Sequence, residues 1–469
     1  MKLINFPKKK KKNKRIKIII GSVCFFVFIY FFINLAIGEG KFRYFKSLIS
    51  NQQKTLIKKY LFAYKIVPQE EMDMQQSKID DLSFYKELYF KDNLIDIEVI
   101  KAKDIKLSNN KIIKKYKIIN GFYSTINGKK KKARPVGYLD FHKDNIFILS
   151  SRGILAYKKK LNSQKKFKQI RNNIDQYINM EQFKKGAYFS LRDLFIYKDK
   201  IFISFTEEIK KDCWNTSLLY GDINYENINF KKIFSPKECI HSINNIDKEF
   251  EANQSGARIT NFDNDHILLS IGEYRSRYLA QKKESVNGKI IKLNFRDNTY
   301  KIITMGHRNP QGLYHDRDNK FILATEHGPK GGDEINIIEV DKINDNEILN
   351  YGWPIASAGE HYKKTDEKYE KYPLYKSHTK YGFIEPIKSF VPSIGISQII
   401  KIEKNKYVVG SMIDRSLYFF ELDNEKKIKN LKQIKVHERI RDLNIYNKEL
   451  YLFLEGSASI GVLDLKNIW

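Results

Sequence analysis

From about residue 111 onward, the chain repeats one unit: an apolar strand, a tight polar turn and a second apolar strand. Each turn contains Asp, Asn or Lys, and such turns between apolar runs predict β-hairpins. Six copies of the unit are present. They are YLDFHKDNIFILS (138–150), DLFIYKDKIFISF (193–205), RITNFDNDHILLSI (258–271), GLYHDRDNKFILAT (312–325), QIIKIEKNKYVVGS (398–411) and DLNIYNKELYLFL (442–454).

The spacing of the copies indicates how the hairpins assemble. Successive copies lie 43 to 86 residues apart, and each interval has room for one four-stranded sheet. Radial arrays of such sheets are propellers, so we predict an all-β, six-bladed β-propeller over residues 111–469. A sandwich or a pair of barrels built from similar hairpins is the alternative. The longest interval implies an insertion, for which the charged, Tyr-rich segment 357–389 is the candidate.

A different pattern occupies the N-terminus. Residues 18–38 form an uncharged, mostly apolar stretch long enough for a transmembrane helix. Nine cations lie in residues 1–17, so the positive-inside rule places this basic tail in the cytoplasm and everything after residue 38 outside it. We therefore predict a single-pass signal-anchor helix in the inner membrane and a periplasmic, extracytoplasmic propeller. A cleavable signal peptide is the alternative.

Residues 39–110 connect the membrane segment to the hairpins. Apolar positions recur at helical spacing from Phe45 to Leu61, and a polar stretch follows at 69–81. The pattern predicts a juxtamembrane helix and a linker, which would hold the propeller away from the membrane.

Composition narrows the class of protein. The 469 residues are 42% apolar and 13% aromatic, too rich in core-forming residues for a disordered chain. The net charge is +30, but outside the N-terminal tail and a short run at 129–132 the Lys excess is general, so nucleic-acid binding is not expected. Three Cys are too few for a disulfide-stapled scaffold. Cys213 and Cys239 would face an oxidising compartment, either as a disulfide or as buried thiols.

The residues best suited to chemistry are concentrated in segment 306–336, GHRNPQGLYHDRDNKFILATEHGPKGGDEIN. Propellers carry functional groups on loops at one end of the central channel, and such loops lie between the hairpins. A Gly-Pro turn in this segment lies between Glu326 and Asp333. Carbonyl and carboxylate oxygens of this kind can bind a hard cation such as calcium.

Three ordered motifs, GHRNPQGL, TEHGPKGGDEIN and NYGWP, resemble the signature of the glucose/sorbosone dehydrogenase family. This family comprises the soluble quinoprotein glucose dehydrogenases and the aldose sugar dehydrogenases. Weaker similarities, including SGARITNFDNDHILLSIGE from residue 255 and ERIRDL from residue 438, extend the resemblance over about residues 130–460. The resemblance implies a six-bladed propeller that binds pyrroloquinoline quinone (PQQ) and calcium and oxidises a sugar at its anomeric carbon.

The resemblance also implies roles for individual residues. PQQ carries three carboxylates, which suit the forked donors of guanidinium groups. The family's carbonyl ligands for the calcium ion that polarises the quinone are matched by Gly328 and Pro329, and a second, structural calcium site is matched by Glu334 and Tyr351. The positions that contact the cofactor are matched by Arg308, Asn309, Arg439 and Arg441.

The sequence departs from the family at the general base. The family has a His four residues before the Arg of the third-blade motif, here Arg258, but this chain has Gln254 there, with Asn253 beside it. An amide has no usable proton-accepting pKa and cannot serve as a base near neutral pH. Either another residue substitutes, or the local register differs, or the domain lacks dehydrogenase activity. The nearest substitutes in the sequence are His307, His327 and Glu326.

Two functions remain open from the sequence. The first is a membrane-anchored, PQQ-dependent aldose dehydrogenase, in which the cofactor performs the hydride chemistry and an unidentified acceptor takes the electrons. The second is a non-catalytic propeller that binds carbohydrate or a protein partner at the same channel mouth. The residue at position 254 distinguishes the two functions, because Gln254 impairs catalysis unless a residue such as His327 replaces the missing base.

Overall fold

The computed structural model describes residues 96–119, 121–122, 135–159, 161, 166–178, 182, 185, 188–344, 346–362 and 369–468. All of them belong to the second of two compact units, Gln76–Trp469. The predicted basic tail, the membrane segment and the helix that follows it lie outside the described residues. Within the described ranges, no helix is long and apolar enough to cross a bilayer.

The described residues form β-strands joined by turns and short 3₁₀ helices. The strands of the N-terminal half are β1 (Ile97–Lys101), β2 (Ile105–Lys106), β3 (Ile112–Ile118), β4 (Gly137–His142), β5 (Asn145–Ser150), β6 (Leu155–Lys158), β7 (Lys166–Gln169), β8 (Arg171–Asn172), β9 (Leu191–Tyr197), β10 (Lys200–Lys210), β11 (Cys213–Asp222), β12 (Asn227–Ile228), β13 (Lys231–Phe234) and β14 (Ile240–His241). The later strands are β15 (Gly256–Asn261), β16 (His266–Ile271), β17 (Lys289–Asn294), β18 (Tyr300–Met305), β19 (Pro310–Asp316), β20 (Phe321–Glu326), β21 (Asp333–Glu339), β22 (Leu349–Asn350), β23 (Lys388–Phe390), β24 (Ile396–Glu403), β25 (Lys406–Ser411), β26 (Ser416–Leu422), β27 (Ile428–Lys435), β28 (Ile440–Tyr446), β29 (Glu449–Leu454) and β30 (Ser459–Asp464). The 3₁₀ helices span Ile174–Gln176, Ala252–Gln254, Arg277–Gln281, Val340–Lys342 and Thr379–Tyr381.

Most strands pair antiparallel with their neighbours in sequence. The sheets have the orders β9–β10–β11–β13, with β14 on β11, then β15–β16–β17–β18–β22, β19–β20–β21–β23 and β24–β25–β26–β27. A larger sheet runs β28–β29–β30–β3–β1–β7–β6–β5–β4, with β2 on β3. β8 and β12 form a separate parallel pair.

The first strands of these sheet sections form a closed ring. β4 contacts β9, and the contacts continue through β15, β19, β24 and β28, which returns to β4. Each predicted hairpin supplies the first two strands of one section. The predicted all-β propeller architecture is therefore confirmed, rather than a sandwich or a pair of barrels.

The ring is closed by pairing the two ends of the described chain. β3 pairs with β30, so an early strand completes the sheet section that the last hairpin begins. β1 pairs with both β3 and β7. β1 and β2 fall within residues 39–110, where the sequence predicts a helix and a linker, so the sheet structure begins before residue 111. β1 alternates buried and exposed positions, with Ile97 and Val99 buried, but at five residues this pattern is too short to stand out among the flanking Lys residues.

The core lies between neighbouring sheet sections. One apolar cluster joins Phe147 of β5 to Leu194 of β9 and Ile203 of β10. Another joins Leu323 of β20 to Val409 of β25. Because both faces of each section pack on a neighbour, the ends of the ring strands are fixed, and the loops that follow them are held in place.

Two features left open by the sequence are resolved. Cys213 and Cys239 form a disulfide, with Cα atoms 5.3 Å apart.

The described part of the insertion 357–389 packs on the loop before the Ala252–Gln254 helix. There Tyr369 Oη donates to Glu249 Oε1 (2.6 Å), and Tyr372 Oη donates to Asp247 Oδ1 (2.9 Å).

Candidate active site

A buried charge network sets the geometry of the central channel. Arg258 Nη1 donates to Asp193 Oδ1 (2.7 Å) and to Asp442 Oδ1 (2.8 Å), and its Nε donates to the carbonyl of Gln311 (3.1 Å). Asp442 Oδ2 also accepts from the backbone N–H of Leu139 (3.0 Å). One arginine thus ties together β15, β9, β28, β19 and β4. Charge-assisted bonds in a buried setting fix these strands, and therefore the loops at their ends.

The predicted cofactor ligand Arg308 lies buried just before β19. Its Nη1 donates to the carbonyl of His327 (2.9 Å), and its guanidinium lies 5.4 Å from the ring centre of Trp353. The amide of Gln254 donates to Glu273 Oε1 (2.6 Å) and accepts from Arg308 Nη2 (3.0 Å). The structure therefore brings Gln254, Arg308 and the His327 backbone together at one site.

Glu273 is a site residue that the sequence reasoning missed. A Cβ on Gly272 would lie 2.0 Å from the carbonyl oxygen of Gln254, so this close approach requires glycine. It places the next residue, Glu273, fully buried beside Gln254. Burial raises the pKa of Glu273 to about 7, although the positive charges of Arg277 and Arg308 act to lower it. The available signal is a Gly-Glu pair directly after the apolar strand HILLSI.

Asn309 holds the neighbouring backbone. Its Oδ1 accepts from the N–H of Gly256 (3.0 Å), and its Nδ2 donates to the carbonyl of Asn253 (3.3 Å). Both ends of the amide are therefore engaged by the segment that contains Gln254. These contacts make Asn309 a positioning residue in the structure described.

A β-bulge in β15 affects the register at the position of the general base. Three residue steps separate Gly256 from Ile259, whereas two steps separate their partners on β16. Because of this extra residue, counting back from Arg258 does not distinguish Gln254 from Asn253 as the equivalent of the family's base. Both side chains are amides, so neither register places a base at this position.

Arg439 and Arg441 are brought together by Glu455, which the sequence reasoning also missed. Arg439 Nε donates to Glu455 Oε2 (2.8 Å), and Arg441 Nη2 donates to Glu455 Oε1 (2.9 Å). Burial opposes ionisation of Glu455, but the charges of Arg441 and Arg439 prevail and lower its pKa to about 2. Arg439 Nη1 also donates to the carbonyl of Met412 (2.9 Å). The available signal for Glu455 is an acid that ends the apolar strand ELYLFL.

The three candidate substitute bases differ in access. His307 is fully buried, with Nε2 bonded to Thr304 Oγ1 (2.9 Å) and Nδ1 3.3 Å from Glu326 Oε2. Glu326 is also buried and accepts from the backbone N–H of Arg308 (3.1 Å). His327 is partly exposed. Its Nε2 is 2.6 Å from the carbonyl of Ile396, which requires a proton on Nε2 and leaves Nδ1 as the basic nitrogen. Burial lowers the pKa of His327, which favours this neutral form.

The predicted calcium turn is held by Asp333. Its Oδ1 accepts from the N–H of Gly328 (3.2 Å), and its Oδ2 accepts from the N–H of Gly395 (2.7 Å). A Cβ on Gly328 would lie 2.0 Å from the carbonyl oxygen of Gly332, so the turn is tight enough to require glycine. The carbonyl of Pro329 accepts a long bond from Ser393 Oγ (3.4 Å). Asp333 therefore shapes the turn with both carboxylate oxygens.

The predicted second calcium site lies near a pair of buried carboxylates. Glu334 is buried beside Glu326, and burial together with the charge of Glu326 raises the pKa of Glu334 well above its usual range. His307, 3.3 Å from Glu326, stacks on Tyr351 with ring centres 4.8 Å apart. Across the described part of the chain, no group of three or more His, Cys, Asp or Glu side chains is arranged to hold a metal ion.

A family model that matches more than half of the chain shows which family the protein belongs to. Residues 189–461 match the family model described as Glucose / Sorbosone dehydrogenase. The chain belongs to the glucose/sorbosone dehydrogenase family. The match includes both arginine-bearing loops and the Gly-Pro turn of the candidate site.

Relatives within and around this family agree with the assignment. The chain is 28% identical over 218 residues to an uncharacterized protein of Synechocystis, covering 40% of this chain and 50% of that protein. It is 26% identical over 232 residues to the aldose sugar dehydrogenase YliI of Escherichia coli, covering 45% and 59%. The matched region thus spans 50% and 59% of the length of these curated relatives. The PQQ-bound aldose sugar dehydrogenase of Streptomyces coelicolor shares the fold, with a TM-score of 0.53, 14% identity and coverage of 78% and 98%.

The donor set of the site suits an anionic cofactor of this family. Among the described residues, no Asp or Glu oxygen lies within 4.0 Å of the buried guanidinium of Arg308. Arg441 is paired with Glu455, but its Nε has no hydrogen-bond partner in the same residues. Buried cations without counter-charges are costly unless a ligand compensates them. The arginines of the site therefore fit the carboxylates of PQQ.

Proposed function

We propose that this protein is a PQQ-dependent aldose dehydrogenase that oxidises a sugar at its anomeric carbon. The single observation that carries the proposal is the buried guanidinium of Arg308, which has no carboxylate oxygen within 4.0 Å among the described residues. Family membership and the aldose sugar dehydrogenase of E. coli among the relatives support the reaction class. We take the closed ring of β4, β9, β15, β19, β24 and β28 as six blades.

The residues of the chain would bind and orient the reactants. Arg308, Arg439 and Arg441 would hold carboxylates of PQQ through charge-assisted hydrogen bonds. Glu455 keeps two of these guanidinium groups in place, and Trp353 supports the third. When bound, PQQ supplies the hydride acceptor for oxidation of the sugar.

Calcium is part of the same proposal. The carbonyl oxygens of Gly328 and Pro329 are hard donors on a rigid turn, as calcium prefers. Glu334 lies next to a second buried carboxylate, and a cation there would relieve the repulsion between them. We assign Gly328 and Pro329 to the cofactor's calcium, and Glu334 and Tyr351 to a structural calcium.

The proton of the sugar hydroxyl requires a base other than an amide. His327 is the best-placed of the three candidates because it is partly exposed, lies on the loop that Arg308 binds, and has Nδ1 free of a proton in its neutral form. His307 and Glu326 are buried 3.3 Å from each other, and each is hydrogen-bonded to the surrounding structure. We therefore assign proton abstraction to His327 Nδ1.

We also propose that the N-terminal segment anchors the protein in the inner membrane with the propeller outside the cytoplasm. The apolar stretch 18–38 and the preceding cations support this orientation. The disulfide between Cys213 and Cys239 supports an oxidising compartment. A reporter fused after Trp469 should be exported, and cytoplasmic activity of that reporter would contradict the orientation.

The function is tested with the full chain in detergent. PQQ is titrated with and without calcium, and dye reduction is then measured over a panel of neutral and acidic aldoses. We expect saturable PQQ binding that chelation of calcium weakens, followed by aldose-dependent dye reduction. Absence of PQQ binding would overturn the proposal. PQQ binding without oxidation of any aldose would instead favour a binding protein.

A further inference from the structure

The channel mouth contains one more buried arginine that none of the assigned roles uses. Arg192 lies at the second position of β9, with its side chain 6% exposed. Its Nη2 makes one long hydrogen bond, to the carbonyl of Asn253 (3.5 Å), and its Nε has no partner in the described residues. Its guanidinium lies 6.0 Å from the ring centre of Tyr188.

Arg192 has no carboxylate partner among the described residues, whereas two other arginines on the ring strands do. Arg258 is paired with Asp193 and Asp442, and Arg441 is paired with Glu455. Within the described ranges, no Asp or Glu oxygen lies within 4.0 Å of Arg192. A buried guanidinium with no carboxylate nearby and an unpartnered Nε is expensive in a folded protein. Such a group persists where it binds an anion.

A second arginine, Arg441, occupies the equivalent position on a nearby ring strand. Arg192 and Arg441 are the second residues of β9 and β28, and Tyr138 is the second residue of β4, the ring strand that contacts both. The Nε of Arg441 is unpartnered as well. The unpartnered Nε groups of Arg192 and Arg441 therefore lie on the two strands that flank β4.

The position of Arg192 indicates which ligand carries the anion. Its hydrogen bond goes to the carbonyl of Asn253. Asn253 precedes Gln254, the position predicted to match the family's general base. That base acts on the hydroxyl of the sugar, so Arg192 lies on the sugar's side of the site. We propose that Arg192, with Arg441, forms a carboxylate-binding subsite and that the substrate is an acidic sugar such as a hexuronate. This inference rests on the proposed function.

The experiment compares an acidic sugar with its neutral counterpart. Binding of D-glucuronate and of D-glucose to the PQQ-loaded full chain is measured by calorimetry in detergent. We expect glucuronate to bind roughly 10- to 100-fold more tightly, the gain typical of a charge-assisted contact. Arg192→Met should remove this advantage, and Arg192→Lys should restore part of it because the charge is kept without the fork. The control Arg296→Met removes an exposed arginine paired with Asp265 and should keep the preference.

Thermal unfolding separates ligand binding from a structural role. If Arg192 is kept for a ligand, Arg192→Met should not lower the melting temperature, since it removes an uncompensated buried charge. A marked loss of stability in Arg192→Met, or equal affinities for glucuronate and glucose in the parent protein, would overturn the inference. So would a fall in PQQ affinity in Arg192→Met with the sugar preference intact, because the carboxylate at Arg192 would then belong to the cofactor.

Failure of this inference is distinguishable from failure of the proposed function. If PQQ binds but glucuronate has no advantage, the dehydrogenase proposal stands and the acidic-sugar subsite falls. If PQQ does not bind at all, the dehydrogenase proposal falls. The same calorimetry on the unloaded chain then decides the subsite, which requires an Arg192-dependent preference for glucuronate.

Discussion

Glu455→Gln should destabilise the protein and remove part of its sensitivity to acid. Glu455 is 2% exposed and accepts hydrogen bonds from both Arg439 and Arg441. Its pKa is lowered from 4.5 to about 2, and this difference corresponds to roughly 3 kcal/mol of stability at neutral pH. The amide would also leave two guanidinium groups without their counter-charge, so the total loss should be about 3–5 kcal/mol.

The sign of the pH dependence follows from the lowered pKa. Because the folded state holds Glu455 ionised more strongly than the unfolded state does, its contribution is complete above the unfolded pKa near 4.5. It is lost as the pH falls from about 4.5 towards 2. The parent protein should therefore lose stability over this window, and Glu455→Gln should lose about 3 kcal/mol less over the same window.

The assay is urea unfolding of the full chain in detergent, followed by tryptophan fluorescence at pH values from about 7 down to about 2, the range that covers the window of the lowered pKa. Glu425→Gln is the matched control, because Glu425 is exposed and pairs with exposed Lys427. An exposed pair of this kind contributes little, so the control should behave like the parent protein. If Glu455→Gln has the parent's stability at pH 7, or an unchanged acid response, the assigned charge network is wrong.

Three further predictions concern the site and its support. Arg308→Ala should weaken PQQ binding about 10- to 150-fold, measured by fluorescence titration, with Arg296→Ala as the unchanged control; equal affinity in Arg308→Ala would contradict a cofactor role. If the missing base limits catalysis, Gln254→His or Asn253→His should raise aldose-dependent dye reduction, by up to 10²–10⁴-fold; if neither does so while PQQ still binds, the site lacks more than this base. Replacing Cys213 and Cys239 by Ser should lower the stability by about 2–4 kcal/mol and abolish the effect of reductant on unfolding; a reductant effect that persists in this variant would mean that the disulfide is not its source.

The sequence determined the building units and the chemistry of several loops. Alternating strand and turn signals are local properties, so all six hairpins could be placed from residue types alone. The motif around Arg308 and the Gly-Pro turn likewise lies within one continuous segment. The family resemblance drawn from these motifs agrees with the family model that matches residues 189–461.

Only the tertiary structure decided which distant groups meet. Arg258 binds Asp193 and Asp442, which lie 65 and 184 residues away, and no local pattern encodes such pairs. The unpartnered Nε of Arg192 is also a tertiary fact, since it depends on which groups the closed ring brings near it. Ring closure by β3 and β30 joins strands from opposite ends of the described chain. Periodicity specifies which face of a strand is buried, whereas its partners depend on contacts between remote segments.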